Sequence, residues 1–466
     1  MEKLLEIVSY INNCMSDYVL IILLAGAGIY FTVCTKFVQI RCFAEGWRNA
    51  FGKFSLHGKS GGASSFQALS AAVAAQVGTG NIVGASGAIL IGGPGAIFWM
   101  WIIAFFGMAT IYAEAVLAQK TRVTDQNGTI HGGPVYYIKQ AFPNWLGTLL
   151  AVFFAVAITI SLGFMGCMVQ ANSIGETCQN AFAIPAWQVG LIVAVLSAGV
   201  FLGGVSRLVM VTEKLVPVMA LIYLAGGVII LAMRVQYIPE TFGLIFKYAL
   251  FPEALIGGGA GYAVKTAISQ GAKRGLFSNE AGMGSTPHAH AIANVSTPHV
   301  QGTVAMIGVF IDTAIVLTMT ALVVISTIYT GSGPLAGATG ENYAALLQSA
   351  NLTQTNLVQQ AIASVSTRNI GNIFVAVCLL FFAFSTILSW NYFGKINFNY
   401  LFGRKVLFVY SILAIVFIFL GTVVKSDLVW ALQDMFNQLM VLPNIMALFM
   451  LASLVAAAAK DGCRRE

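Results

Sequence analysis

The chain of 466 residues is 58% hydrophobic and only 9% charged, and its formal net charge is +7. Soluble globular proteins carry about 25% charged residues, so this composition excludes a soluble protein and indicates a polytopic membrane protein. The seven cysteines form no C-x-x-C pair and show no metal-ligand spacing, so we expect no transition-metal site. We also expect no nucleic-acid partner, because membrane topology accounts for the basic residues.

Eleven segments are apolar enough to cross a bilayer, which takes about 20 helical residues. In chain order they are residues 18–35, 66–92, 96–118, 146–172, 186–204, 213–233, 256–294, 300–327, 370–392, 406–423 and 428–458. The first follows an acidic, polar start without a basic region, which favours a retained helix over a cleaved signal peptide. We therefore predict one all-α membrane domain.

The orientation follows from the basic residues. Of the 24 Lys and Arg residues, 16 fall in one alternating set of loops, five in the other and three within the seventh segment. The positive-inside rule then places the N-terminus outside and the C-terminus in the cytoplasm. Two exterior loops are long, 234–255 and 328–369. The second is either a lid over the mouth of a pathway or a passive connector.

The second segment is interrupted by the stretch "AAQVGTGNIVG", residues 74–84. Gly78 and Gly80 each weaken a helix by about 1 kcal/mol. An unwound backbone at membrane depth persists only inside protein or beside a wet cavity. A break would leave free carbonyls suited to a cation and free amides suited to a carboxylate. Alternatively, Gly80 and Gly84 form a G-x-x-x-G packing motif that needs no ligand.

The seventh segment is interrupted in a similar way, by "FSNEAGMGS", which places Glu280 within an apolar crossing. An ionisable residue inside the membrane is by default functional. Interruptions at corresponding places in two halves of a chain indicate the inverted repeat and midplane site of a transporter. The breaks near Gly80 and Gly282 fall five helices apart, which favours a secondary transporter. A passive pore would have a continuous polar lining, and the predicted spans contain no catalytic motif of a membrane enzyme.

The motifs "VGTGNIVG", "GGPGAIFWMW", "FGMATIYAEAVLA", "GGPVYYI", "FSNEAGMGS" and "FAFSTILSWNYFG" occur in this order from about Phe66 to Pro443. Together they resemble the alanine/glycine:cation symporter family. The resemblance implies the leucine-transporter type of fold, found in the amino acid–polyamine–organocation superfamily, with two five-helix inverted repeats after one additional helix. The implied divisions are residues 1–60 for the additional helix and a cytoplasmic loop, 61–255 and 256–460 for the repeats, and 461–466 for a cytoplasmic tail.

The same resemblance implies a function. Members of the family are sodium-driven carriers of alanine or glycine, and some are proton-coupled or take glutamine. We therefore expect a symporter, not an enzyme, that takes up alanine, glycine or D-alanine by alternating access. Sodium is the only coupling ion or cofactor expected, and the expected location is the inner membrane of a prokaryote, with the chain as a monomer in the bilayer.

The resemblance assigns a sodium ion to the first break and the ninth segment. The implied ligands are the carbonyls of Ala74, Val77 and Phe382 and the hydroxyls of Ser385 and Thr386. Oxygen donors suit a hard cation such as sodium, by extension from calcium and magnesium. The alternative for the two hydroxyls is a bond to carbonyls of their own helix, which is common in membrane helices.

The resemblance also implies a substrate pocket. Backbone amides at Thr79 and Gly80 would bind the substrate carboxylate, and oxygens at the second break would accept from its ammonium. The other residues assigned to the pocket are Asn81, Phe164, Gln170, Phe277, Ser278, Asn279, Gly282, Thr386 and Trp390. The bulk of Phe164, Phe277 and Trp390 favours a small substrate, although each would equally fit a core or lipid-facing position.

Several charged residues fall within or near the predicted spans. Asp312, together with Asn81, would form a second cation or proton site. Alternatively, Asp312 pairs with Lys265, Lys273 or Arg274. Lys273 and Arg274 precede the second break, and the other candidate gate charges, with which they would form a salt bridge, are Glu280 and Glu114.

Overall fold

The computed structural model describes residues 2–52, 63–125, 130–202, 204–250, 260–340 and 342–462. Its α-helices are Glu2–Cys14, Ile21–Cys34, Val38–Arg41, Phe43–Trp47, Ser65–Gln76, Ala85–Gly92, Gly95–Thr121, Pro134–Ala141, Trp145–Ile158, Cys167–Phe182, Ala186–Phe201, Gly204–Met233, Ile238–Leu250, Ala260–Asn279, Pro287–Ala291, Pro298–Val309, Thr318–Ile328, Tyr343–Ser349, Leu357–Ala363, Arg368–Phe402, Leu407–Gly421, Ser426–Met450 and Ala452–Gly462. The described strands, Val123–Thr124 and Ile130–His131, pair antiparallel.

Segments of π-helix and 3₁₀-helix connect several of these α-helices. Five π-helical segments, which have i→i+5 hydrogen bonding, occur in the described part of the chain: Met15–Leu20, Arg48–Gly52, Gly80–Gly84, Thr159–Gly166 and Phe310–Leu317. The two 3₁₀ turns are Val235–Tyr237 and Arg404–Val406. Because a π-helical segment inserts a residue into the turn, it rotates the face that the following side chains present.

The described helices confirm a multi-pass membrane protein. Seven are long and apolar enough to cross a bilayer, namely Lys3–Cys34, Gly95–Thr121, Trp145–Phe182, Arg207–Met233, Pro298–Ile328, Arg368–Phe402 and Arg404–Gly421. Two bent pairs raise the number of such described spans to nine, and Ala186–Phe201 is a shorter apolar helix. The seventh predicted segment begins outside the described residues, at 256–259. The count of eleven therefore stays a prediction.

The predicted boundaries of the repeats lie largely outside the described residues. This holds for the divisions at 60 and 61 and at 255 and 256, and for residues 463–466 of the tail. The last predicted span, 428–458, differs from the structure. There the chain bends by 63° between Asp427–Met450 and Ala452–Gly462, and the two helices together are apolar enough for one bent span.

The first predicted interruption is present. The helix Ser65–Gln76 starts at a capping box, in which Ser64 and Gln67 exchange hydrogen bonds of 3.0 and 3.1 Å. It stops where Val77 becomes extended, at φ −79° and ψ 90°. The chain resumes as Gly80–Gly92 at an angle of 46° to the first part. We call residues 65–92 the first broken crossing, and its break is buried in protein.

The second predicted interruption is also present. The helix Ala260–Asn279 ends, and a turn with positive φ at Glu280, Gly282 and Gly284 leads to Pro287–Ala291. The two glycines adopt these φ values, 89° and 81°, without the steric cost that a side chain would add. Glu280 carries that cost at φ 58°, so its surroundings must hold it there. We call residues 260–291 the second broken crossing.

The described part of the long segment 328–369 is packed rather than loose. The hydroxyl of Tyr343 donates to the carbonyl of Leu90 over 2.8 Å, and that of Tyr329 lies 3.4 Å from the carbonyl of Ile89. Leu357 in the following short helix is fully buried. The segment therefore covers the Ile89–Leu90 end of the first broken crossing, and its role as a lid stays a prediction.

Candidate binding site at the two helix breaks

Five oxygens meet where the first break packs against the helix Arg368–Phe402. The hydroxyl oxygen of Thr386 lies 2.9 Å from the carbonyl of Ala74, 3.4 Å from that of Val77 and 3.1 Å from that of Phe382. The hydroxyl of Ser385 lies 2.8 Å from the Phe382 carbonyl and 3.5 Å from the Ala74 carbonyl. All five residues are buried. The hydroxyls thus bond to their own helix and to the break at the same time.

A glycine makes this approach possible. A side-chain Cβ placed on Gly78 would overlap the hydroxyl oxygen of Thr386 and would lie 3.2 Å from the side-chain oxygen of Gln170. Because Gly78 has no side chain, the unwound backbone comes close to the helix Arg368–Phe402, which carries Thr386, and to the helix Cys167–Phe182, which carries Gln170. The break therefore allows close contact between Gly78 and two residues that are far from it in the sequence, Gln170 and Thr386.

Backbone amides at the break have side-chain acceptors. The amide of Gly78 donates to the side-chain oxygen of Asn81 over 3.0 Å, and the amide of Thr79 donates to that of Gln170 over 3.1 Å. Two other polar atoms at this point, the Thr79 hydroxyl oxygen and the Gln170 side-chain nitrogen, are buried without a hydrogen-bond partner among the described residues. Buried polar atoms are normally paired, so these two are available to a polar ligand.

Asp312 joins the two breaks. Its carboxylate accepts from the side chains of Asn81 over 2.6 Å, Ser278 over 2.9 and 3.0 Å and Thr313 over 2.8 Å. The Asn81 amide also donates to the Asp312 carbonyl over 3.1 Å. The carboxylate is fully buried. A charged group buried in this way needs such donors, and a cation or a proton would stabilise it further.

The alternative pairing of Asp312 with a basic residue is wrong. Lys273 and Arg274 contact another carboxylate, that of Asp434, with Lys273 at 2.8 Å and Arg274 at 3.3 Å. The amine of Lys265 lies 3.4 Å from the hydroxyl of Tyr18. The hydrogen-bond partners of the Asp312 carboxylate among the described residues are neutral side chains, which agrees with an ion or proton site rather than a structural salt bridge.

The predicted salt bridge from Lys273 and Arg274 to Glu280 or Glu114 is wrong, because both basic residues pair with Asp434. Lys273 and Arg274 do not contact Glu280 or Glu114, and Asp434 bridges them instead. The guanidinium of Arg274 also lies 4.7 Å from the ring centre of Trp430, a cation–π geometry. Asp434 was not among the charged residues predicted to be functional, although a carboxylate within the last apolar segment is a signal that could have identified it.

The two glutamates have other partners, which stabilise the turn of the second broken crossing. The carboxylate of Glu114 accepts from the amides of Gly282 over 3.1 Å and Gly284 over 2.9 Å, and from the side chain of Asn444 over 2.6 Å. Glu280 accepts from the indole N–H of Trp390 over 2.5 Å. Its other carboxylate oxygen contacts the Ser285 hydroxyl. Glu114 therefore holds the turn, and Glu280 links it to the helix Arg368–Phe402.

The second break lies directly against the first. A Cβ on Gly80 would lie 3.0 Å from the Cα of Ser278 and 3.1 Å from the ring of Phe277. The Asn279 carbonyl accepts from the Gln76 side chain over 2.7 Å. Phe277 meets Trp390 edge to face, with ring centres 5.5 Å apart. These contacts bring most of the predicted pocket residues together.

Two predicted pocket residues lie elsewhere. The ring of Phe164 packs at 5.4 Å from that of Tyr410 and 4.9 Å from that of Phe417, in a separate apolar cluster. Phe164 belongs to the π-helical segment Thr159–Gly166, whose wider turn rotates its side chain off the expected face. Gly282 faces Leu24 and other residues on the far side of the turn. Both assignments to the pocket wall are corrected accordingly.

A cavity of about 270 Å³ lies beyond the second break, along the helix Arg368–Phe402. His288, Leu388 and Asn391 are among its lining residues, but none of the residues at the five-oxygen cluster is. The cavity is therefore distinct from the candidate binding site, whose five oxygen-bearing residues are buried.

The chain is similar over its whole length to known membrane transporters. Residues 1–465 match the model of the sodium:alanine symporter family. The sodium/alanine symporter AgcS of Methanococcus maripaludis is 39% identical over 456 residues, covering 98% of this chain and 96% of that protein. A Bacillus subtilis protein named "Probable sodium/glutamine symporter GlnT" is 38% identical over 471 residues, covering 100% of this chain and 92% of that protein.

The fold has relatives among solved structures. A manganese transporter of Eremococcus coleocola superposes with a TM-score of 0.54 at 13% identity, over 84% of this chain and 85% of that one. Identity at this level shows a shared transporter fold and nothing about the cargo. By its match over almost its whole length, the chain belongs to the sodium:alanine symporter family, whose members are amino-acid symporters and not enzymes.

Proposed function

We propose that the protein couples sodium entry to the uptake of a small neutral amino acid, alanine, glycine or D-alanine. The observation that carries this proposal is the cluster of five oxygens formed by Ala74, Val77, Phe382, Ser385 and Thr386. Carbonyl and hydroxyl oxygens are the donors that a hard cation prefers. The cluster joins the first break to the helix Arg368–Phe402, so an ion bound there would hold these elements together.

The amino acid would bind beside this ion. The Gly80 amide and the unpartnered Thr79 hydroxyl and Gln170 side-chain nitrogen would bind its carboxylate. The Thr79 amide would join them by exchanging the Gln170 side-chain oxygen for the substrate. The oxygens of Ser278 and Asn279 would accept from its ammonium. Phe277 and Trp390 lie close together at the second break and leave little room for a long side chain, which favours alanine over glutamine.

The transport cycle would be alternating access around this fixed site. We infer eleven transmembrane helices and two inverted five-helix repeats of the leucine-transporter type, each opening with one broken crossing. The excess of Lys and Arg in one set of loops supports an exterior N-terminus and a cytoplasmic C-terminus in the inner membrane of a prokaryote. Lys273, Arg274 and Asp434 would then form an exterior gate, and a monomer would suffice for transport.

A second coupling site at Asp312 supports an alternative form of the proposal. Its buried carboxylate is held by Asn81, Ser278 and Thr313, and it would bind either a second sodium ion or a proton. A proton at Asp312 would make the protein a proton-coupled amino acid symporter of the same fold. A wider pocket would make it a glutamine-type carrier.

Uptake into proteoliposomes tests the proposal. We expect uptake of labelled alanine to rise with an inward sodium gradient and to collapse when an ionophore dissipates that gradient. A proton gradient without sodium should drive little uptake. Competition by unlabelled glycine, D-alanine and glutamine would rank the substrates.

Two outcomes would change the conclusion. Uptake that responds to a proton gradient and ignores sodium would favour the proton-coupled alternative. Uptake that ignores every ion gradient would favour a passive facilitator, and it would contradict sodium coupling altogether.

A further inference from the structure

Three metal-ligating side chains meet at the start of the helix Pro298–Val309. The sulfur of Cys42, a carboxylate oxygen of Glu45 and a ring nitrogen of His299 all lie within 4.8 Å of one another. Cys42 immediately precedes the short helix Phe43–Trp47, and Glu45 lies in its first turn. Because the three ligand atoms lie this close together, the side chains of Cys42 and Glu45 both reach His299.

We propose that Cys42, Glu45 and His299 form a binding site for a zinc ion. A thiolate, an imidazole and a carboxylate are the donors that zinc takes in proteins, and three protein ligands leave a fourth position for water. Tetrahedral zinc places its ligand atoms roughly 3.5 Å apart. Since the three atoms already lie within 4.8 Å, side-chain rotations of about 1 Å would complete the geometry.

The surroundings of His299 resemble the second layer of contacts around a zinc ligand. Its Nδ1 lies 2.8 Å from the hydroxyl of Tyr112, while its Nε2 faces Glu45 at 3.1 Å. Metal-binding imidazoles almost always use their other nitrogen in such a hydrogen bond, which fixes the ring. If Nδ1–H donates to Tyr112, then Nε2 turns a lone pair towards the Glu45 carboxylate, and a cation between the two atoms resolves the repulsion.

The packing of the segment fixes the geometry and leaves a route for the ion. A Cβ on Gly46 would lie 2.6 Å from the Thr303 carbonyl, so the short helix is seated tightly on Pro298–Val309. The side chain of His299 is 3% exposed and that of Glu45 is 14% exposed. Zinc would therefore enter from the Glu45 side. The inferred topology places this side in the cytoplasm, where thiols stay reduced.

A competing explanation needs no metal. Tyr112 would donate to Nδ1, the Nε2–H of His299 would donate to Glu45, and Cys42 would be a small buried apolar residue. The two explanations differ in what they require of Cys42. A thiolate ligand is essential to the zinc site proposed, whereas the hydrogen bonds of His299 to Tyr112 and Glu45 do not require a thiol at residue 42.

Zinc binding by the purified full-length protein separates these explanations. The protein is stripped with a chelator, titrated with zinc and, in parallel, loaded with cobalt. We expect about one zinc per chain, as one three-ligand site requires, and a thiolate-to-cobalt charge-transfer absorption. Cys42→Ser should lower the zinc affinity at least tenfold and abolish that absorption. Cys34→Ser, the same change on a membrane helix, should preserve both.

Glu45→Gln keeps the test independent of any folding defect at the buried cysteine, because the Glu45 side chain is partly exposed. It should weaken zinc binding as well. Zinc binding that is absent from the unmutated protein, or equal in the unmutated, Cys42→Ser and Glu45→Gln proteins, would overturn the proposal. None of these measurements involves transport, so their failure would leave the proposed sodium coupling untouched.

Discussion

The hydroxyl of Thr386 lies 2.9 Å from the carbonyl oxygen of Ala74, although the two residues are 312 positions apart in the sequence. The contact exists because the first broken crossing stops being a helix at Val77 and frees its last carbonyls. In an unbroken helix those carbonyls would accept from amides four residues on. The break thus supplies oxygens for a cation, and the helix Arg368–Phe402 supplies the remaining ones.

Removing the Thr386 hydroxyl should impair sodium coupling. In Thr386→Ala one of five oxygens is lost, and the Ala74 and Val77 carbonyls lose a donor. We expect the sodium concentration for half-maximal alanine uptake to rise at least tenfold, about 1.4 kcal/mol. Thr386→Ser retains the hydroxyl and should stay near the unmutated protein. If Thr386→Ala and the unmutated protein depend on sodium equally, the assignment of Thr386 as a sodium ligand is contradicted.

Adding a methyl group at the break should be as harmful as removing the hydroxyl. In Gly78→Ala the new Cβ would overlap the Thr386 oxygen, so the break and the helix Arg368–Phe402 would separate. We expect alanine uptake to fall at least tenfold while the protein still inserts. Gly243→Ala is the matched control, because no atom of the described residues lies within 4 Å of a Cβ placed there. If both variants transport alike, the close approach at Gly78 has no functional importance.

The breaks could be predicted from sequence because their signal is local. Glycines and polar side chains within an apolar run weaken the helix wherever the rest of the chain lies. The assignment of the Ala74 carbonyl and the Thr386 hydroxyl as ion ligands came only from the family resemblance. In the structure these two oxygens lie 2.9 Å apart.

The partners of the charged residues could not be predicted in this way. Asp434 pairs with Lys273 and Arg274 because of how distant helices pack, and no local pattern encodes that choice. Phe164 was misplaced because a π-helical segment rotates it, and the sequence alone gives no clear sign of such a segment. Sequence therefore located the breaks but not the faces of the helices around them.

Neutralising Asp312 should change the ion dependence of transport. Asp312→Asn keeps the shape of the side chain but removes the charge that Asn81 and Ser278 surround. We expect uptake to fall strongly and its dependence on sodium concentration to become less steep, since one cation site would be lost. Asn81→Ala, which removes the 2.6 Å donor, should act in the same direction. Unchanged uptake and steepness in both variants would argue that Asp312 binds no ion.

Removing the charge of Asp434 should destabilise the protein. Asp434→Asn leaves Lys273 and Arg274 without their shared carboxylate, and the Arg274 and Asp434 side chains are only 6% and 4% exposed. Breaking a buried ion pair costs about 3–5 kcal/mol. We expect a clearly lower melting temperature in detergent. The control is Asp427→Asn, at an exposed position in the first turn of the same helix, which should melt at the same temperature as the unmutated protein. If Asp434→Asn also melts at that temperature, Asp434 does not stabilise the protein.

Trp390 and Phe164 separate the corrected pocket from the expected one. Trp390 is buried against Phe277 at the second break, and its indole N–H donates to Glu280. Phe164 packs in the separate cluster with Tyr410. Trp390→Ala should enlarge the space beside the substrate and let larger neutral amino acids compete with alanine. Phe164→Ala should leave that competition profile unchanged.

The comparison is informative because both changes remove a large aromatic ring. Losing the ring of Trp390 costs about 3–5 kcal/mol of stability, so the size and monodispersity of each variant must be checked before uptake is compared. Competition by glutamine against labelled alanine in proteoliposomes is the measurement. The residue that sets the size limit must contact the substrate. If larger amino acids compete with alanine in Phe164→Ala, or do not compete in a well-folded Trp390→Ala, the substrate therefore binds away from the second break.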